Sequence, residues 1–128
     1  MRRWKPIPGY EGLYEVSNMG EVRSCNRIVT NCHGKLIEYQ SKRIRCHDNT
    51  FGYPQVCLCK NGVRKMFTIH RLVAMTFIKN QFNLSEINHR DGDKHNNCMW
   101  NLEWCTRQEN IVHAYKHGLK KPPKQKTE

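Results

Sequence analysis

A chain of 128 residues has room for one compact domain, or for two small modules sharing a modest core. Lys and Arg number 22 against 11 Asp and Glu, a formal net charge of +11. So large a basic excess suits an acidic polymer as partner, and basic residues interleaved with aromatics favour nucleic acid over a membrane anchor.

In chain order, Leu13–Val16 and Glu21–Ser24 flank the turn-rich Ser17-Asn18-Met19-Gly20, which predicts a hairpin. Ile28 to Tyr39 predicts a second, around Asn31 and Gly34, and Gly52 and Pro54 mark a break. Val56–Cys59 and Arg64–Ile69 then enclose Asn61-Gly62, a strong hairpin signal because both residues tolerate positive φ. From His70 the period changes, and Leu72, Val73, Met75 and Phe77 predict a short helix packed on that hairpin. Asn80 to Ser85 reads as a loop, and Glu86–His89 and Leu102–Cys105 read as short strands. Thr106 with Glu109 fits a capping box for a helix ending near His117, with Gly118 as its stop. Pro122-Pro123 and the lysines around them predict a disordered basic tail.

The N-terminus is basic but has no apolar h-region, and the longest apolar run, Leu72 to Phe77, is broken by Thr76, so neither export nor a membrane span is expected. Seven cysteines, an odd count, point to reduced thiols. Only Cys57 and Cys59 are close together, and no second pair answers them, so buried free thiols are expected rather than zinc.

The stretch from Ile87 to Gly118 concentrates His, Asn and carboxylates. A metal site, a nuclease centre, a calcium loop or a polar surface loop are the readings to weigh. The calcium loop fails, because with Gly92 at its invariant glycine, Ile87 and His89 fall where oxygen ligands are required. Asp91, Asp93, Asn96 and Asn97 are expected to hold a loop by bonding its own backbone. His70 is expected to be a hydrogen-bonded core or cap residue. His113, one turn beyond Asn110, is either an ordinary surface residue or close to the site.

Asn88-His89-Arg90-Asp91-Gly92-Asp93-Lys94, Asn96-Asn97, Asn101-Leu102-Glu103-Trp104-Cys105-Thr106 and Glu109-Asn110 together resemble the HNH endonuclease motif of the ββα-metal superfamily. His70-Arg71-Leu72-Val73-Ala74 resembles the helix preceding that motif in the phage and group I intron homing branch. Trp4 to Val22 resembles the N-terminal module of the same nucleases. Three pieces in the right order cover most of residues 4–119.

The resemblance implies an α+β fold: a small antiparallel β module over residues 1–50 that contacts DNA, an HNH ββα-metal nuclease unit over 51–119, and a basic tail over 120–128. It implies His89 as general base, Asn101 as the residue whose amide ties the long loop, and Asn110 as a catalytic metal ligand with Asn88 as the second. Such oxygen donors suit Mg²⁺ or Mn²⁺. The expected partner is double-stranded DNA, with no membrane, acting as monomer or homodimer in a bacterial host's cytoplasm, and the expected products carry a 5′-phosphate and a 3′-hydroxyl. Two departures stand out. Better-studied relatives have Asp where this chain has Asn88, and they often continue into a C-terminal helical DNA-binding module, whereas this sequence ends at Glu128. The rival readings are a binding-only module on the same shape and an RNA-binding or zinc-ribbon-like interaction protein.

Overall fold

The computed structural model describes residues 2–116, with side chains described as far as Val112. The predicted Gly118 stop, His117, the 120–128 tail and the side chain of His113 lie outside the described residues.

The first predicted hairpin is present as β2 (Tyr14–Ser17) and β3 (Val22–Ser24), and an additional strand, β1 (Trp4–Pro6), pairs antiparallel with β2. In its turn the Ser17 hydroxyl accepts the N–H groups of Met19 and Glu21. Gly20 takes φ of 88°, and a Cβ there would lie 2.9 Å from the Cβ of Asn97. Only glycine lets this turn press so closely on the loop that carries Asn97.

The second hairpin comprises β4 (Arg27–Thr30) and β5 (Leu36–Tyr39), with the Asn31 side chain accepting the N–H groups of His33 and Lys35 across the turn. Ile28, Val29, Leu36 and Tyr39 are all exposed, so this ribbon adds nothing to the core.

The third sheet runs β6 (His47–Asp48), β7 (Pro54–Lys60), β8 (Val63–Thr68). Asn61 and Gly62 sit at φ of 52° and 78°, the left-handed pair that a tight two-residue hairpin needs. Pro54, expected as a break, is instead the first residue of β7, where its missing N–H is tolerated.

α1 (Ile69–Phe77) buries Ile69, Leu72, Val73 and Ala74. Met75, expected to face inward, is exposed because it falls off the stripe set by Ile69, Leu72 and Val73. β9 (Glu86–His89) and β10 (Leu102–Cys105) pair antiparallel, and the loop joining them closes on a 3-10 turn at Met99–Asn101. α2 (Arg107–Lys116) follows and packs against β9. At its start the Thr106 hydroxyl accepts the Glu109 N–H and donates to the Glu109 carboxylate, so Glu109 reaches back to the cap's side chain.

The architecture is α+β, with small antiparallel sheets packed with α1 and α2 among the described residues. Ile7, Tyr14, Val16 and Val22 from the N-terminal sheet pack in one cluster with Val56, Leu58, Ile69, Leu72, Val73, Ile87 and Leu102. The expectation of buried thiols holds for Cys105 alone: Cys32, Cys46, Cys57 and Cys59 are exposed, and Cys25 and Cys98 are half-buried. On β7 the reason is alternation, since Val56 and Leu58 take the inner face and leave Cys57 and Cys59 the outer one.

Candidate functional site

Successive strand residues face opposite sides, and on β9 this separates two chemistries. Ile87 and His89, with their cross-strand partners Trp104 and Leu102, face α1. Ile87 and Leu102 enter the core, the Trp104 indole N–H donates to the Ile78 carbonyl at the end of α1 (3.1 Å), and the His89 ring lies 5.1 Å from that of His70. Asn88 and its partner Glu103 face the other way, where the Asn88 amide donates to Glu103 Oε1 at 2.9 Å.

His89 is 6 % exposed, and its Nε2 sits 2.7 Å from Asn97 Oδ1. An amide oxygen can only accept, so in the neutral ring Nε2 carries the hydrogen and Nδ1 keeps its lone pair. Burial pushes the His89 pKa below the usual histidine value, while the Asn97 bond and the charges of Asp91 and Asp93 oppose that shift. A neutral imidazole therefore prevails near pH 7. Asn97 was expected to bond the loop's own backbone. Its side chain instead holds His89, and the signal for this is tertiary, since it depends on Gly20 pressing the loop inward.

Tyr53 and His70 stack beside the same ring, with centroids 5.0 Å from each other and Tyr53 6.0 Å from His89. Burial, with His89 and Arg71 adding, drives the His70 pKa down to about 3. Rather than the satisfied core or cap residue expected, His70 keeps a buried Nδ1 without a hydrogen-bond partner among the described residues.

Asn101 is buried and spans the loop. Its Nδ2 donates to Asp91 Oδ1 (2.9 Å) and to the Asn96 carbonyl (2.8 Å), and its Oδ1 accepts the Asp91 N–H (3.2 Å). Asp91 also takes the Asp93 N–H and the Asn96 amide, and Asp93 takes the His95 N–H. These donors, the Asn96 amide foremost, pull the Asp91 pKa down to about 2. Both carboxylates thus serve the turn. At ~1 kcal/mol per bond, Asn101→Ala is expected to destabilise the protein by ~2–4 kcal/mol once the bonds and the vacated polar groups are counted. Thermal melts check this, and an unchanged midpoint would mean the loop is held elsewhere.

Asn110 lies in the first turn of α2, half-buried, with its N–H bonded to the Thr106 carbonyl. The packing of α2 on β9 brings together the elements that carry Asn110 and Asn88. Glu86, Glu103 and Glu109 lie close enough to Cys105 to help burial push its thiol up to about 11, which marks the α2 side of β9 and β10 as acidic. Among the described residues no group of three or more His, Cys, Asp or Glu is arranged to hold a metal ion. The oxygen donors that the resemblance names on these two elements are the amides of Asn88 and Asn110. These are hard ligands that fit a dication keeping several waters and completing its shell with phosphate.

On the N-terminal sheet, the Trp4 ring lies under two guanidiniums, those of Arg23 (4.1 Å) and Arg43 (5.8 Å). Glu15 holds Arg23 at 2.8 Å, and Glu21 holds both Arg2 and Arg43, so these cations are ordered on the surface.

Residues 3–59 match the NUMOD4 motif. The chain is 37 % identical over 115 residues to DNA endonuclease I-HmuI of Bacillus phage SP01, a match covering 90 % of this chain and 59 % of that protein. It is 38 % identical over 119 residues to the uncharacterized HNH endonuclease L245 of Acanthamoeba polyphaga mimivirus, covering 93 % of this chain and 32 % of that protein. A solved structure, described as DNA binding and cleavage by the HNH homing endonuclease I-HmuI, matches with a TM-score of 0.71 at 36 % identity, covering 94 % of this chain and 62 % of that one. The chain thus spans less than two thirds of the length of each of these relatives.

Proposed function

Because the chain is a homologue of the HNH homing endonucleases and carries a NUMOD4 motif over residues 3–59, we propose that it is a metal-dependent DNA endonuclease with His89 as general base. The observation that carries this reading is the 2.7 Å contact of His89 Nε2 with Asn97 Oδ1, which favours the hydrogen on Nε2 and leaves the Nδ1 lone pair for a proton. In the proposed reaction Nδ1 takes a proton from water as the oxygen attacks phosphorus. Asn97 stays bonded to Nε2–H and stabilises the imidazolium that forms.

Asn88 and Asn110 would hold Mg²⁺ or Mn²⁺ through their amide oxygens. The bound ion would neutralise charge on the scissile phosphate and on the leaving oxygen. Asn88 and His89 are adjacent on β9 and face opposite sides, so the cation would be held from the α2 side and the base would act from the α1 side. Asn101 keeps the loop folded between them. The products of this reaction carry a 5′-phosphate and a 3′-hydroxyl.

Double-stranded DNA is the proposed substrate. The ordered cations around Trp4 serve phosphates, and the projecting β4–β5 ribbon has the form that a major groove admits. We assign DNA contact to residues 1–50 and cleavage to 51–119. The proposed setting is a phage gene product acting as monomer or homodimer in a bacterial host's cytoplasm.

Incubating supercoiled plasmid with pure protein in Mg²⁺ or Mn²⁺, and in EDTA, tests the reading. Nicked or linear product that vanishes with EDTA supports it, and intact plasmid in every metal sinks it. A binding-only protein is the second reading, favoured by the neutral Asn88 where better-studied relatives carry a carboxylate. It predicts a gel shift without cleavage.

A further inference from the structure

The neutral residue at position 88 has a charged neighbour that no role yet assigned here explains. Resting on the nuclease reading, we propose that Glu103 is a positioning residue of the cation site: it aims the Asn88 amide oxygen and supplies the negative charge that Asn88 lacks.

Asn88 and Glu103 are direct cross-strand partners on the face of β9 and β10 away from α1. Cross-strand partners have Cβ atoms about 5 Å apart, so their side chains meet by construction. Here they meet in one defined sense: Asn88 Nδ2 donates to Glu103 Oε1 at 2.9 Å. An amide whose nitrogen is held on one side presents its oxygen on the other, so this bond turns Oδ1 away from the carboxylate and leaves it as the donor for a cation. Asn88 is 5 % exposed, so its amide has little freedom to flip. Without Glu103, nothing at the strand level would distinguish Nδ2 from Oδ1 as the group facing the ion.

The bond also polarises the amide. A carboxylate accepting from Nδ2 draws electron density toward Oδ1 and makes it a better ligand, as second carboxylates do for metal-bound imidazoles. Its charge, bonded to the Asn88 amide at 2.9 Å, would attract a dication held by the amide oxygen.

The bland account is that Glu103 makes a surface ion pair with Arg90. That contact is long, Nη2 to Oε2 at 3.7 Å between two exposed side chains, and exposed pairs are worth little. It also uses the other carboxylate oxygen, so both interactions coexist.

Glu103→Gln keeps an acceptor for the Asn88 amide but removes the charge, and Glu103→Ala removes both. Mn²⁺ titrated into the protein alone and followed by electron paramagnetic resonance reads affinity without any cleavage. Ten-fold weaker binding is expected for Glu103→Gln and closer to a hundred-fold for Glu103→Ala, the range found for residues supporting metal ligands (~10–100-fold). Adding Asn88→Asp to Glu103→Gln returns the charge to the ligand itself and should restore binding. Thermal melts of each variant separate a lost site from a lost fold. If Glu103→Gln binds Mn²⁺ like wild type while wild type cleaves plasmid in Mn²⁺, the role of Glu103 is overturned and the nuclease reading stands. If wild type neither binds Mn²⁺ nor cleaves, both fall together.

Discussion

His89→Ala is expected to slow plasmid cleavage by ~10²–10⁴-fold, the usual effect of removing a general base, while leaving DNA affinity within a few-fold of wild type. The separation follows from the geometry. His89 is almost wholly buried, bonded to Asn97 and flanked by Tyr53 and His70, so it offers little surface for DNA to grip. The contribution we propose for it is a lone pair at Nδ1, available because burial favours the neutral ring at ordinary pH. Cleavage rates under saturating protein and gel-shift affinities in EDTA measure the two quantities independently. Near wild-type nicking by the variant would remove His89 from the mechanism. A parallel loss of binding and cleavage would make it a structural residue.

The second large effect concerns acid. His70 has a folded pKa of about 3, against an unfolded value near ~6.5. As pH falls below 6.5 the unfolded chain takes up a proton that the folded protein refuses until about pH 3. The stability involved is therefore complete above ~6.5 and is lost as pH falls through the window below it, at up to ~1.4 kcal/mol per pH unit. His89, also shifted down by burial, acts in the same direction. Asp91, held down to about 2, keeps its full stabilising contribution down to its ordinary carboxylate range and loses it only below, so the interval from pH 6.5 to 4.5 isolates the histidines. Over those two units His70 should account for ~2–3 kcal/mol. Urea melts at pH 7, 6 and 5 should show stability falling steeply in wild type. In His70→Phe, which keeps a ring against Tyr53 and removes both the titration and the unpartnered Nδ1, the fall should be shallower. Equal slopes in the two proteins would show that His70 titrates normally.

What could be read from the sequence was local. The hairpins at Ser17–Gly20, Asn31–Gly34 and Asn61-Gly62 were legible because turn residues state their φ and bonding requirements in place. The strand character of Glu86–His89 and Leu102–Cys105 and the Thr106 cap were legible from equally local patterns, whereas the pairing of the two strands was implied only by the family resemblance. The partners of the candidate site were not. Asn97 reaches His89, and Tyr53 and His70 stack on it, through contacts between segments far apart in sequence. Asn88 and Glu103 are 15 residues apart and become neighbours only through strand register. The cysteines misled for a related reason: a small apolar residue on a strand is buried or exposed according to which face the sheet covers, and residue type alone does not say.

The cluster joining Ile7, Tyr14, Val16 and Val22 to Leu58, Leu72 and Leu102 bears on how such proteins can be recombined. A recognition piece that could be cut out and exchanged would need its own hydrophobic interior, and here the first fifty residues, to which we assign DNA contact, share theirs with the part to which we assign cleavage. Each Leu or Ile stripped of its cover would forfeit ~1.5–3 kcal/mol, against a total stability of only ~5–15 kcal/mol for an ordinary domain. Grafting a new target preference onto this scaffold is therefore better attempted by rewriting the β4–β5 ribbon, whose exposed side chains support nothing beneath them, than by swapping the N-terminal segment whole. The same economy would let a lineage drift in what it recognises while its interior stayed fixed.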